Sequence, residues 1–340
     1  MAICHREIVR KFLAIVFLLL PLLWLTWAWK PLPPDGDSSR VRVDWLTPQV
    51  PPAERAALGA FTLQGLWRLQ SDNQRFGGYS ALVALPSGHF LAVSDRNGWL
   101  GFGPQLGAGA HVMPTGRTLV RRLRKGPNES FDVESVVRDP VDGSLWTGLE
   151  SEWHVARIDP ETGLAGFHAV PPLVDWPENG GAEAMARLAD GRWIMLCESC
   201  GGGRGGLHLG LLFAGRPGLS PSQKFGILTP AGFDPVDMAP LPDGRLLILT
   251  RGFNLFPPRF TSRIVLADMA TIDPKRPLAT QELARIEGPA LRENYEGMAI
   301  RTEADGRVGV WLISDANDTA FQETRVMQLW LDPARLPPKE

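Results

Sequence analysis

Hydrophobic and polar positions along the chain repeat one unit five times, and the clearest copy is Gly180–Ser199, GGAEAMARLADGRWIMLCES. A half-apolar run leads into a Gly-containing turn, usually Asp-Gly, and a more apolar run leads out, which predicts a β-hairpin. The pattern recurs in GGYSALVALPSGHFLAVSD (Gly77–Asp95), FDVESVVRDPVDGSLWTGLES (Phe131–Ser151), FDPVDMAPLPDGRLLILTRG (Phe233–Gly252) and NYEGMAIRTEADGRVGVWLISD (Asn294–Asp315). With Ser80, Glu134, Glu183, Asp237 and Glu296 as equivalent positions, the copies are 54, 49, 54 and 59 residues apart. That period suits a four-stranded propeller blade and is too long for a solenoid repeat of about twenty to thirty residues.

Candidate outer strands lie between the hairpins: HVARID (His154–Asp159), AGFHAV (Ala165–Val170), LHLGLLFA (Leu207–Ala214) and RIVLADM (Arg263–Met269). After Asp315 only one strand remains, TRVMQLWLD (Thr324–Asp332), so the last blade is a strand short. FTLQGLWRLQ (Phe61–Gln70) can supply it and remove the exposed edge of an open array. The predicted fold is therefore an all-β propeller over residues 59–335, its ring closed by N- and C-terminal strands. Repeat counting gives five blades, or six if a blade without the motif occupies one of the longer gaps.

The turns also predict what faces what. A two-residue turn centred on Asp190 and Gly191 places Glu183 opposite Glu198. The same arithmetic pairs Glu296 with Asp315 and Ser80 with Asp95, and a three-residue loop Val141, Asp142, Gly143 pairs Glu134 with Glu150. In the fourth repeat Asp237 falls opposite Thr250, with Arg251 next. Opposed like charges destabilise a sheet, and a cation is the simplest compensation. An offset of one residue would turn one carboxylate of each pair to the other face.

The N-terminus differs in kind. Phe12–Trp29 is an uncharged run of eighteen residues preceded by Arg6, Arg10 and Lys11, and as a helix it would reach roughly 27 Å. Residues 1–30 are expected to be a signal anchor with Trp24, Trp27 and Trp29 at the outer interface, or else a cleaved signal peptide. Residues 31–58, rich in Pro and polar side chains, read as a linker holding a short strand within VRVDWL (Val41–Leu46). The folded part is then expected outside the cytoplasm, in the periplasm or cell envelope, held to the membrane through the N-terminal segment or secreted. Net charge is -2 among 340 residues, and the Arg121, Arg122, Arg124, Lys125 group is the longest basic run, so nucleic acid is not an expected partner. Cys4 precedes the apolar run; Cys197 and Cys200 lack a second pair for a zinc site and suit a local disulfide in an oxidising compartment.

Taken together, GGYSAL with AVSDRNG, the D-x-E motif Asp132–Glu134, ENGGAEAMA, VDMAPLPDGRLLILTRGF, and NYEGMAI with LISDAND resemble the phytase-like propeller family described as "esterase-like activity of phytase". The resemblance runs from about Gly77 to Leu331 and implies a propeller fold, with phosphate ester hydrolysis as the activity its name suggests. Ser80 departs from it by replacing an acid in the first repeat.

In a propeller the first strand of each blade lines the channel, so side chains at its start converge on one mouth. Glu134, Glu183, Asp237 and Glu296, with Asp95, Glu150, Glu198 and Asp315, are the expected metal ligands there. Carboxylates without clustered His suit calcium. Glu134, Glu183, Glu296 and Arg251 are the expected catalytic residues for a small phosphate or other ester: metal to offset charge and activate water, guanidinium to fork two oxygens. In the alternative, the same acids cap backbone N–H groups of neighbouring blades and pair with Arg96, Arg251 and Arg325, and the protein is a non-catalytic anchored propeller that binds a ligand or partner. Ser80 lacks the setting of a nucleophile elbow. His89, His111, His154, His168 and His208 sit at non-repeating places. Gly201–Gly206 with Arg204 reads as a rim loop, and Asp315, Asn317 and Asp318 lack the Gly and distal Glu of a twelve-residue calcium loop.

Overall fold

The computed structural model describes residues 9–21, 40–73, 76–95, 98–106, 132–150, 152–159, 165–201, 205–303, 305–317 and 319–339. Outside this set lie Cys4, Arg96, His111, the Arg121–Lys125 group, Arg204, Asp318 and the three N-terminal tryptophans. Residues 9–21 are helical, and the rest of the apolar run lies outside the described residues. Among those described, no helix is long and apolar enough to cross a membrane.

Chain order begins with β1 (Arg42–Trp45) and β2 (Phe61–Gln70). Among the described residues, blade one is β3 (Tyr79–Ala84), β4 (Phe90–Ser94) and β5 (Trp99–Phe102); blade two is β6 (Val133–Arg138), β7 (Leu145–Leu149), β8 (His154–Ile158) and β9 (Ala165–Ala169). Blade three is β10 (Ala182–Arg187), β11 (Trp193–Cys197), β12 (Leu207–Phe213) and β13 (Ser222–Leu228); blade four is β14 (Asp234–Pro240), β15 (Leu246–Leu255), β16 (Pro258–Ala267) and β17 (Thr280–Ile286). Blade five is β18 (Tyr295–Thr302), β19 (Val308–Ser314) and β20 (Thr324–Leu331), extended by β2 and then β1. The inner strands touch in the cycle β18, β3, β6, β10, β14 and back to β18, so the ring closes on five blades. Its closure is the pairing of β2 with β20, Phe61 opposite Leu331 through Leu69 opposite Thr324.

The core is five layers, one between each pair of neighbouring blades. β11 shows why its sequence reads as a continuous apolar run. Ile194 and Leu196 join Met238, Ile248 and Val265 of blade four, while Trp193, Met195 and Cys197 join Trp146 and Val155 of blade two. A strand covered on both faces needs no polar side, although alternate side chains still point opposite ways.

The hairpin register corrects the sequence arithmetic. Leu188 N donates to Arg192 O and Gly191 N to Leu188 O, at 2.8 and 3.0 Å. The loop thus has three residues, and Ala184 faces Leu196. Leu85–His89, Leu241–Arg245 and Glu303–Arg307 close in the same way. Gly88, Gly191, Gly244 and Gly306 carry φ of 83, 91, 91 and 82°, while the preceding residue keeps negative φ; where it is Asp (Asp190, Asp243, Asp305) its Oδ1 accepts the N–H two residues on, as Asp190 does from Arg192 at 3.0 Å, and Ser87 Oγ accepts His89 N. A two-residue turn with both centres at positive φ would forfeit that bond. Blade two has a four-residue loop, with Asp139 N donating to Ser144 O at 2.8 Å.

A second shift follows in every blade: a β-bulge at Ser80, Glu134, Glu183, Val236 and Glu296. Glu183, Glu134, Glu296 and Ser80 are therefore not opposite Glu198, Glu150, Asp315 and Asp95. Those four pair instead with Gly181, Asp132, Asn294 and Gly78 through backbone bonds of 2.8–3.1 Å. The turn and the bulge each move the register by one residue, and a shift of two restores the original face.

Just after the bulge, blades approach closely. A Cβ on Gly297 would lie 2.8 Å from the backbone carbon of Ala81 in the next blade and 2.7 Å from Ile313 Cγ2. Gly297→Ala should lower stability by about 1–3 kcal/mol, since backbone on one side cannot give way. Urea unfolding of the variant against wild type measures this, and equal midpoints would contradict it.

Candidate functional site at the acidic mouth

Three rings of equivalent positions surround one end of the channel. The bulge ring holds Ser80, Glu134, Glu183, Val236 and Glu296. The ring at the ends of the second strands holds Asp95, Glu150, Glu198, Arg251 and Asp315, with Arg251 paired to Asp234. The third, two residues before each bulge, holds Gly78, Asp132, Gly181, Asp234 and Asn294. One guanidinium thus stands among nine carboxylates at these positions.

Asp132, Glu134 and Glu150 form the tightest group, offering carboxylate oxygens that all lie within 4.8 Å of one another. Calcium–oxygen distances of about 2.4 Å place opposite ligands roughly 4.8 Å apart, so this all-oxygen set fits a hard cation. Asp132, Glu134 and Glu150 therefore crowd three carboxylates into one small volume. Such crowding favours either a bound cation or a proton held above the usual carboxylate range.

Arg251 organises the other side. Its Nη2 donates to Glu198 Oε1 at 2.7 Å, and its Nη1 donates to Glu296 Oε1 and, at 3.1 Å, to Asn294 Oδ1. Asn294 Nδ2 in turn donates to Glu296 Oε1 at 2.8 Å. Glu183, buried, lies between the groups and feels Glu198, Arg251, Glu296 and Glu150. Burial, then the charges of Asp95 and Glu150, push Asp132 up to about 7. Burial also pushes Glu296 up to about 8, with Arg251 opposing and Asp315 adding to the rise. Glu134 and Glu183 are held well above the carboxylate range, by burial first and then by Glu183 on Glu134 and Glu198 on Glu183. Arg251 is held more basic than usual against the opposing effect of burial, with Glu296, Glu198 and Glu183 as the causes.

Most of the expected residues meet here. Asp315 is buried at the rim, where its Oδ1 accepts Asn317 N at 2.7 Å; Asp95 accepts Ser94 Oγ at 3.0 Å. Asp237 does not join them. Val236 takes the bulge, Asp237 faces Leu249 rather than Thr250, and its carboxylate accepts Met298 N of blade five at 2.6 Å and Met238 N at 2.7 Å. It fills the place held by Ser135, Ala184 and Gly297 in other blades and ties two blades together. Sequence reasoning missed Asp132, Asp234 and Asn294 as site residues. Their signal was the repeat itself, whose third ring becomes visible once the bulge is located. One expected structural role is present too: Glu150 Oε1 accepts Gly180 N of blade three at 2.9 Å. Arg325 pairs with Glu323 at 2.7 Å, away from these rings. His208 is buried, its Nδ1 2.7 Å from Glu198 O, and Cys197 and Cys200 form a disulfide beside the site.

A closed five-bladed propeller with a carboxylate-lined mouth defines the class. The family profile "Phytase-like: Esterase-like activity of phytase" matches residues 74–318, and the chain belongs to that family. A comparison with curated proteins finds no match. Solved structures of similar fold include a GH62 α-L-arabinofuranosidase catalytic domain from Coprinopsis cinerea, 10% identical over 76% of this chain and 93% of that one, TM-score 0.45. Another is the α-L-arabinofuranosidase of Podospora anserina, 9% identical over 74% and 91%, TM-score 0.43. The chain also matches the extracellular domain of a protein described as a hybrid two component system from B. thetaiotaomicron, with 13% identity over 72% of this chain but 26% of that one, TM-score 0.33. Likenesses this distant carry no argument about chemistry.

The raised carboxyls generate a pH prediction. A carboxyl with its folded pKa above its unfolded value stabilises the fold fully below the unfolded pKa, and that contribution is lost as pH rises through the folded one. With Asp132 at about 7 and Glu296 at about 8, the melting temperature in chelator should fall between about pH 5 and about pH 9. Glu134→Gln should make the fall shallower; a profile that stays level or climbs contradicts the charge crowding. Asp237→Ala should cost about 1–3 kcal/mol in urea unfolding by orphaning the Met298 N–H, with cation binding unchanged.

Proposed function

We propose that this protein is a metal-dependent hydrolase of phosphate or other esters, with calcium as the metal, working outside the cytoplasm. The observation that carries the reading is the Asp132, Glu134, Glu150 cluster, whose oxygens lie within 4.8 Å of one another beside Glu183, Glu296 and Arg251. In this reading Asp132, Glu134 and Glu150 hold calcium, with Asp95, Glu183, Glu198, Glu296 and Asp315 as the surrounding acidic field. Calcium would neutralise an anionic ester and polarise the bond to be cleaved. Glu183, whose carboxyl burial and then the Glu198 charge hold well above the usual carboxylate range, is the group that would give a proton to a leaving oxygen. Arg251 donates to Glu198 and Glu296 and fixes the position of their oxygens. The family's description supports the reaction class. The Cys197–Cys200 disulfide supports an oxidising compartment, and the charge-free run Phe12–Trp29 supports export, with anchoring or secretion as its outcome.

A second reading has its own observation. Arg251 is fully engaged by Glu198, Glu296 and Asn294, as in a structural network, which favours a non-catalytic propeller that binds a ligand at its mouth or a partner in the cell envelope. Turnover separates the two.

Calcium at a hundred times its dissociation constant should add about 2.7 kcal/mol to stability. Asp132→Asn with Glu134→Gln should lose most of that gain and melt no lower than wild type in chelator, because fewer like charges are crowded together. Equal melting of wild type in calcium and in chelator would falsify the metal assignment. Hydrolysis of 4-nitrophenyl phosphate or 4-nitrophenyl acetate that depends on calcium and is lost in Glu183→Gln supports the enzyme; calcium binding without turnover of either ester supports the binding module.

A further inference from the structure

The middle strands of blade four outrun their counterparts. β15 and β16 have ten residues each where β11 and β12 have five and seven, and the surplus begins at Arg251 on the rim of the mouth. Pairing continues without a register break from Leu246 opposite Ala267 to Leu255 opposite Pro258. Side chains of the extension therefore alternate strictly between two faces. One face carries Arg251 with Ser262, then Phe253 with Phe260, then Leu255 with Pro258; the other carries Gly252 with Thr261 and Asn254 with Arg259. Ring positions agree with the register: Phe253 and Phe260 stand 4.9 Å apart, and the Arg251 guanidinium lies 5.5 Å from the Phe260 centroid.

This apolar ladder starts at the side chain that holds Glu198 and Glu296, on the face that side chain occupies. Phe253 is 56% and Leu255 63% exposed. A scattered exposed Leu requires no explanation, whereas an ordered apolar face continuous with a charged site does. From Arg251 to Leu255 it extends about 13 Å at roughly 3.3 Å per residue, the length of a medium alkyl chain.

We propose that Phe253, Leu255, Pro258 and Phe260 bind the apolar arm of a soluble amphiphilic monoester, such as an alkyl phosphate, whose anionic head enters the acidic mouth with its cation. The inference rests on the ester-binding reading of the mouth and narrows its substrate class. One-sidedness selects a single amphiphile over a bilayer: a tip built to enter lipid has no use for Asn254, Arg259 and Thr261 along its back.

The test is calorimetric titration of the protein in calcium with octyl phosphate, below its micellar concentration, and with inorganic phosphate. Octyl phosphate should bind at least about tenfold tighter, the equivalent of burying one apolar side chain. Phe253→Ser with Leu255→Ser should remove most of that preference, with a loss for octyl phosphate that exceeds any loss for inorganic phosphate. Phe256→Ser, in the turn outside the ladder, should keep the preference. Equal affinity for the two ligands, no binding of octyl phosphate, or a preference unmoved by the double variant overturns the proposal. So does phosphatidylcholine vesicle binding that is lost in the double variant, because the face would then belong to a membrane. Octyl preference without any ester turnover leaves the ladder standing and removes the hydrolase, while turnover indifferent to chain length does the reverse.

Discussion

Repulsion among carboxylates crowded at one end of a ring is the constraint around which the molecule is arranged. Opposed like charges weaken a sheet and buried ones cost more, because the low-dielectric surroundings neither solvate nor screen them. Three features offset that cost. Arg251 stands alone among acids in its ring and pairs with Glu198 and Glu296. Burial and the charges of Asp95 and Glu150 push the Asp132 carboxyl up to about 7, so a proton offsets part of its charge. The five apolar layers between blades hold the ring closed against the outward push.

Blade packing and site geometry meet at the bulge. In blades two, three and five the residue at the bulge is an acid at the mouth, whereas Val236 of blade four packs into the apolar layer beside it; the next residue is buried against the neighbouring blade. That next position accepts only a small residue or one that satisfies the neighbour's backbone. Gly297 meets Ala81 there, Ser135 Oγ lies 3.5 Å from Ala182 O, and Asp237 accepts the Met298 N–H. Stability and chemistry therefore occupy adjacent residues of the same strand, so a substitution at one is read against its neighbour.

The mouth divides its labour by location. Blade two supplies a compact oxygen cluster suited to a hard cation, and blades three to five supply a guanidinium-centred network with Glu183 between them. The extended hairpin of blade four begins at that same guanidinium and leaves the ring, linking the polar site to an apolar face. The amphiphilic ester we propose would engage both parts.

The sequence alone determined most of the architecture: five hairpins, their more apolar second strands, and strands from both ends closing the ring were legible, because hydrophobic alternation and Asp-Gly turns are local, while the choice of five blades over six came only from the ring itself. It also marked Glu134, Glu183, Glu296, Glu150, Glu198 and Arg251, since repetition of an acid at one repeat position survives any error in register. Register itself was decided in three dimensions. Asp190 prefers its own hydrogen bond to Arg192 N over a left-handed conformation, which lengthens the loop by one residue. The bulge, which no residue type announces, adds the second shift. Only with both in place do Asp132, Asp234 and Asn294 join the mouth and Asp237 leave it, because which side of a strand faces the channel depends on pairing with a neighbour and not on the strand's own sequence.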